Sequence, residues 1–128
     1  VGGEARRNAA LRIIDKIKQI VGEQPAVLTG DFNVNDQSDA YQTITTNEFV
    51  LLDAHKQVAA SSGPDYTWHD WGMQPMRDRE KIDFIFVTPT IKVKQASIYQ
   101  EHHVDSIKPE TQWGYISDHN PIVAELEF

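Results

Sequence analysis

The 128-residue chain contains no cysteine. A disulfide scaffold, a thiolate zinc site and a cysteine nucleophile are therefore all excluded. No apolar run approaches the roughly 20 residues that carry a helix across a bilayer. Basic residues are few: twelve lysines and arginines stand against nineteen acids, for a formal net charge of −7. A chain with that balance does not coat nucleic acid through bulk electrostatics. The first residue is Val1 and nothing leader-like follows it, so a processed or cut product is expected. What is present is ordinary for a globular protein: 40% hydrophobic and 24% charged residues, enough to build one core or part of one.

The acids are unevenly spread. Residues 31 to 70 carry seven of them (Asp31, Asp36, Asp39, Glu48, Asp53, Asp65, Asp70) against the single base Lys56, a net of −6, while the rest is close to neutral. Such an excess usually makes a solvated face. It is also what a hard cation needs, so the surrounding residue types have to decide.

Hydrophobic spacing orders the chain. Ala10, Ile13, Ile14, Ile17, Ile20 and Val21 form one apolar stripe at helical intervals, with Gly22 and Pro25 as stop signals. Ala26 to Thr29 reads as an interior strand ending at Gly30. Ser38 is placed to cap a second helix through about Thr45. Phe49 to Leu52 suits a strand or a buried turn, and Tyr66 to His69 a short strand. Residues 70 to 80 form a polar loop. Ile82 to Val87 is a strand closed by Pro89, Ile91 to Tyr99 a half-exposed strand, residues 100 to 117 a long loop, and Pro121 to Phe128 a strand with one apolar face. One helix, a strand, a second helix and then mostly strands point to an α/β sandwich with a largely antiparallel sheet.

Three polar clusters fall at strand ends. Gly30-Asp31-Phe32-Asn33 puts a carboxylate and an amide on one rim. Asp31 offers hard oxygens to Mg²⁺ and Asn33 can orient a water or a phosphate oxygen, but the same residues also make plain turns. Ser117-Asp118-His119-Asn120-Pro121 joins a carboxylate to an imidazole, a pairing suited to ligation and proton transfer, or equally a loop with local turn bonds. Asp83 lies within Ile82-Asp83-Phe84-Ile85-Phe86-Val87. A carboxylate in so apolar a run is costly without a partner, and His119 would serve; an exposed strand face is the alternative.

Taken in order, with Tyr66-Thr67-Trp68-His69 between the first and second, these motifs resemble the endonuclease/exonuclease/phosphatase family over essentially the whole chain. The resemblance implies a four-layer α/β/β/α two-sheet sandwich, mostly antiparallel, that hydrolyses phosphate esters with Mg²⁺ or Mn²⁺. It implies catalytic roles for Asp31, Asn33, Asp83, Asp118 and His119: water and phosphate positioning by Asp31 and Asn33, phosphoryl contact and proton transfer by His119, orientation of that ring by Asp83, and a metal or water position at Asp118. Asp31 and Asp118 are then the metal ligands within this chain. The family's upstream Asn, Glu and His or Tyr motifs are not found here. Glu4 reads as a first-turn helix acid rather than the missing ligand. Residues 1–128 are accordingly expected to be the C-terminal portion of a single catalytic domain, its upstream half absent.

Trp68, His69 and Trp71 are candidate substrate-binding residues, an aromatic wall for a base or a sugar, with core packing and loop capping as alternatives. Arg77, Arg79 and Lys81 either meet a second anionic group or are simply solvated. His55 reads as a surface residue, as do His102 and His103, which point opposite ways if on a strand; the same holds for His69 apart from its place beside Trp68. The expected partner is a phosphate-ester substrate. The acidic balance disfavours nucleic acid without excluding a nuclease. The competing reading is a non-catalytic interaction module that keeps the fold.

Overall fold

A computed structural model describes residues 2–59, 63–100 and 115–128. The first helix, α1, runs Gly2–Val21. It stops where Gly22 takes a left-handed φ of 56° and its N–H reaches the Lys18 carbonyl at 3.0 Å. Ala10 and Ile14 are buried and Ile17 packs beside them, whereas Ile20 is 70% exposed, so the apolar stripe leaves the core before the helix ends. Strand β1 (Val27–Asp31) follows. Ser38 caps α2 (Asp39–Thr45), its hydroxyl accepting from Tyr41 N. Then come the two-residue β2 (Leu52–Asp53), a 3₁₀ turn at Ala54–Lys56, a second at Met76–Asp78, and strands β3 (Asp83–Val87), β4 (Lys92–Ile98) and β5 (Ile122–Glu127).

Two antiparallel sheets result, one ordered β1-β3-β2 and one of β4 with β5. The central strand β3 explains the layering. Successive side chains on a strand point to opposite faces. Phe84 and Phe86 therefore join Ala10, Ile14, Ala40, Tyr41 and Ile44 of the helices, while Ile85 and Val87 meet Ile91, Val93, Ile122 and Leu126 of the second sheet. Burial on both faces is why residues 84–87 read as an unbroken apolar run. Helices, sheet and second sheet make an α/β architecture with two sheets face to face. The second helical layer of the expected four is not found among the described residues.

Two expectations are corrected and one open reading is decided. Among the described residues β1 is the outer strand of its sheet, with Leu28 its sole half-buried residue, not an interior strand. Residues 66–69 form no strand; Trp68 makes isolated bridges to Glu80 and His119, because Thr67 spends its hydroxyl on the N–H groups of Ile82 and Asp83 at 3.0 and 3.1 Å. The acid-rich stretch is dispersed. Asp36 pairs with Lys56 at 2.8 Å, Asp39 sits in the first turn of α2, and buried Asp53 accepts from the Tyr41 hydroxyl at 3.0 Å. Burial, with Asp53 alongside, pushes that phenol up to about 12. Most of the expected 100–117 loop, including His102 and His103, lies outside the described residues.

Candidate active site

Strand register builds the site. Asp31 is paired directly with Asp83 across β1 and β3, so both carboxylates stand on one face of the sheet, the face toward β4 and β5. Like charges directly opposite repel unless something intervenes. His119 intervenes. Its Nδ1 lies 2.8 Å from Asp83 Oδ2 and its Nε2 lies 4.0 Å from Asp31 Oδ2. The first is a short hydrogen bond to a carboxylate; the second is too long to be one. Asp83 thus fixes the ring with the proton on Nδ1 and leaves Nε2 facing Asp31.

Each member is held from behind. Asn33 takes φ 52°, a conformation asparagine tolerates, and folds its N–H (2.8 Å) and side-chain amide (3.4 Å) onto the two oxygens of Asp31. Thr67 aligns the start of β3 and with it Asp83. The His119 N–H reaches Ser117 Oγ at 3.1 Å, and buried Asn120 bonds through its N–H to the Thr67 carbonyl and through its amide to the Tyr66 carbonyl. Asp31, Asp83 and His119 offer ligand atoms within 4.8 Å of one another. Asp118 stays outside that group, its Oδ1 3.5 Å from Ser117 Oγ. It does border, with Asn33, Trp68, Glu80, Ile82 and His119, a cleft of about 370 Å³ beside the histidine.

Of the aromatic candidates, Trp68 lines this cleft. Trp71 is half-buried in a left-handed turn, Asp70 to Gly72 at φ 50°, 56° and 81°. A Cβ at Gly72 would lie 2.5 Å from the Tyr115 ring, so glycine is required there. Arg79 clasps the turn, bonding the Gly72 and Gln74 carbonyls and the Tyr66 hydroxyl, and is not presented to a ligand. Arg77 is exposed beside Asp78. The Lys81 ammonium lies 3.6 Å from the centre of the Phe84 ring and bonds the Asp83 carbonyl; burial pulls its pKa down to about 8.

Neither His55 nor His69 is a surface residue. His55 is nearly enclosed, and His69 is 1% exposed. His69 Nδ1 accepts from Gly72 N–H at 3.0 Å and its backbone N–H bonds the Asp118 carbonyl. An accepting Nδ1 puts the proton on Nε2, which has no hydrogen-bond partner among the described residues. Burial first, then Arg79, lowers the His69 pKa from its usual 6.5. The folded state therefore binds this proton less readily than the unfolded state, and stability is complete above about pH 6.5 and lost progressively below it. We predict that the melting temperature of the full-length protein falls from pH 7.5 to pH 5. His69→Asn, which keeps an acceptor and removes the titration, should flatten that fall; an equally steep profile in the variant would discard this account.

The sequence pointed to Asp31, Asn33, Asp83, Asp118, His119 and Trp68, and the structure brings them to one rim. It missed Thr67 and Glu80. A threonine flanked by aromatics gives no signal of its own, and Glu80 looked like one more loop acid.

The pattern of the Endonuclease/Exonuclease/phosphatase family matches residues 3–119. No curated protein sequence matches the chain. Among solved structures, an endonuclease/exonuclease/phosphatase from Bacteroides vulgatus is 57% identical with a TM-score of 0.86, aligned over 100% of this chain and 46% of its own. A mannosyl-6-phosphatase from Bacteroides thetaiotaomicron is 27% identical with a TM-score of 0.83, over 100% and 48%. The human Nocturnin catalytic domain, with bound sulfate, shares the fold at 23% identity and a TM-score of 0.70, over 98% and 42%. The chain spans about half the length of these structures.

Proposed function

Because the chain belongs to the endonuclease/exonuclease/phosphatase family, we propose that it is the C-terminal portion of a catalytic domain whose complete protein hydrolyses a phosphodiester or phosphomonoester with a divalent metal. The observation that carries this reading is the Asp31–His119–Asp83 arrangement, two opposed carboxylates with an imidazole between them.

Residues this close in charge suit a hard cation, and Asp31 has exposed carboxylate oxygens of the type Mg²⁺ and Mn²⁺ take. Asp31 would hold the ion, with Asp118 as a further oxygen donor from the neighbouring loop. Bound there, it would offset charge on the phosphoryl oxygens. The chain's own residues do the rest. Asn33 keeps Asp31 turned into the rim. Asp83 holds His119 so that Nε2 can contact a phosphoryl oxygen and move a proton between the attacking water and the leaving oxygen. The water oxygen bonds to phosphorus as the ester P–O bond breaks, and little covalent help is needed from the protein.

The test uses the full-length protein and a chromogenic phosphoester. A chelator should remove the activity and added Mg²⁺ or Mn²⁺ should restore it, with Asp31→Ala raising the metal concentration needed for half-maximal rate. A rate indifferent to the chelator would reject metal dependence. No hydrolysis of any phosphoester would favour a non-catalytic module instead.

A further inference from the structure

The bridges made by Trp68 set three side chains in a row. Trp68 faces His119 on one side and Glu80 on the other, both in antiparallel register. The bonds that flank the first pairing, His69 N to the Asp118 carbonyl and Asn120 N to the Thr67 carbonyl, make Trp68 and His119 a closely spaced pair. On the other side Trp68 N bonds the Glu80 carbonyl at 3.0 Å. Directly opposed residues project to the same face. His119, the Trp68 indole and the Glu80 carboxylate therefore line one wall of the cleft, His119 and Glu80 being roughly 10 Å apart at the backbone from the usual pair spacings.

Glu80 is also aimed. Asn35 Nδ2 donates to Glu80 Oε1 at 2.7 Å, which fixes the carboxylate and leaves its other oxygen to accept. A carboxylate accepts and does not donate, so its partner must bring hydroxyl or amine hydrogens. Arg79 and Lys81, the nearest bases in sequence, are committed elsewhere, to the 72–74 carbonyls and to the Phe84 ring. The far end of the cleft thus has an acid where a second phosphate would need a base.

We infer that this row selects a small hydroxyl-rich phosphate ester, a sugar or polyol phosphate, over a polyanionic chain. The inference rests on the phosphoesterase reading above and deepens it. The phosphoryl group sits at Asp31 and His119, the carbon skeleton lies across the Trp68 indole, and Glu80 accepts from a hydroxyl at the other end. Glu80 and Trp68 are specificity residues; the proton-moving group remains His119.

The experiment compares a hexose 6-phosphate, p-nitrophenyl phosphate and a short single-stranded oligonucleotide as substrates of the full-length protein with Mg²⁺. The wild type should prefer the hexose phosphate to the oligonucleotide in kcat/KM. Glu80→Gln should lower the preference for hexose phosphate over p-nitrophenyl phosphate by about ten- to a hundredfold, the worth of a hydrogen bond to a charged group, and chiefly through KM. Trp68→Leu should lower the same ratio, and Trp68→Phe should recover part of it. Melting temperatures identify any variant that fails to fold, and the remaining variant then decides. An unchanged ratio in the folded variants, or a wild type that cleaves the oligonucleotide faster, overturns the inference while leaving the phosphoesterase reading intact. A wild type that hydrolyses none of the three but another phosphoester also overturns it alone; one that hydrolyses no phosphoester overturns both.

Discussion

Replacing His119 with alanine should lower the kcat of phosphoester hydrolysis by about 10²- to 10⁴-fold, the range for a positioned proton-transfer group. The geometry makes the prediction specific. The ring has one nitrogen committed to Asp83 at 2.8 Å and the other facing Asp31 at 4.0 Å. Alanine removes both the proton-moving atom and the side chain that reaches toward both of the opposed carboxylates. Asp83→Asn keeps nearly the same shape and should itself cost about 10²-fold or more, because the carboxylate that selects the tautomer and stabilises a charged ring is gone. Groups that act as a unit are not additive. The double variant His119→Ala/Asp83→Asn should therefore be no slower than His119→Ala alone. Single-turnover rates on Mg²⁺-loaded full-length protein measure all three. Retention of near wild-type kcat in His119→Ala, or full additivity in the double variant, would show that the two residues do not form a working pair.

Much of this site was legible because each member sits at a place the chain marks twice. Asp31 and Asn33 follow a short apolar run and a glycine. Asp83 interrupts a run that needs it to have a partner. His119 precedes a cleanly alternating strand. What the sequence could not disclose is register. That Asp31 faces Asp83, and that Trp68 stands between His119 and Glu80, depends on which residues oppose one another across strands far apart in sequence. The fold follows the same division. Local signals placed the end of α1, the Ser38 cap of α2, β3, β4 and β5 within a residue or two. The failures were non-local. Residues 66–69 have the composition of a strand, yet Thr67 Oγ1 takes the backbone N–H groups of Ile82 and Asp83 and Trp68 touches its neighbours through single bridges. His55 and His69 are polar by composition, yet packing encloses most of the first and all but 1% of the second, which has a tilted Tyr115 ring 4.3 Å away.

The same strand that carries Asp83 should be the most sensitive point for stability. Phe86 is fully buried in the middle of the three-stranded sheet, with ring centroids of Phe32 at 5.3 Å, Phe84 at 5.4 Å and Tyr41 at 5.8 Å. It joins three elements at once: the residues just after β1, its own strand β3, and α2. Phe86→Ala deletes the ring and leaves a cavity that these aromatic neighbours can only partly close, for a cost of about 3 to 5 kcal/mol. That is a large part of the roughly 5 to 15 kcal/mol by which a typical domain is stable. Phe86→Leu, which keeps most of the volume, should cost clearly less. Denaturant unfolding of the full-length protein gives both numbers. A further consequence separates this from a local effect at the site. Phe86 points to the helix side of β3 and Asp83 to the opposite side, so folded Phe86→Leu should retain its Asp83–His119 pair and most of its kcat while its unfolding midpoint drops. If Phe86→Ala instead cost less than about 1 kcal/mol, as at an ordinary surface position, the double-sided burial of β3 could not be what holds the two sheets and the helices together.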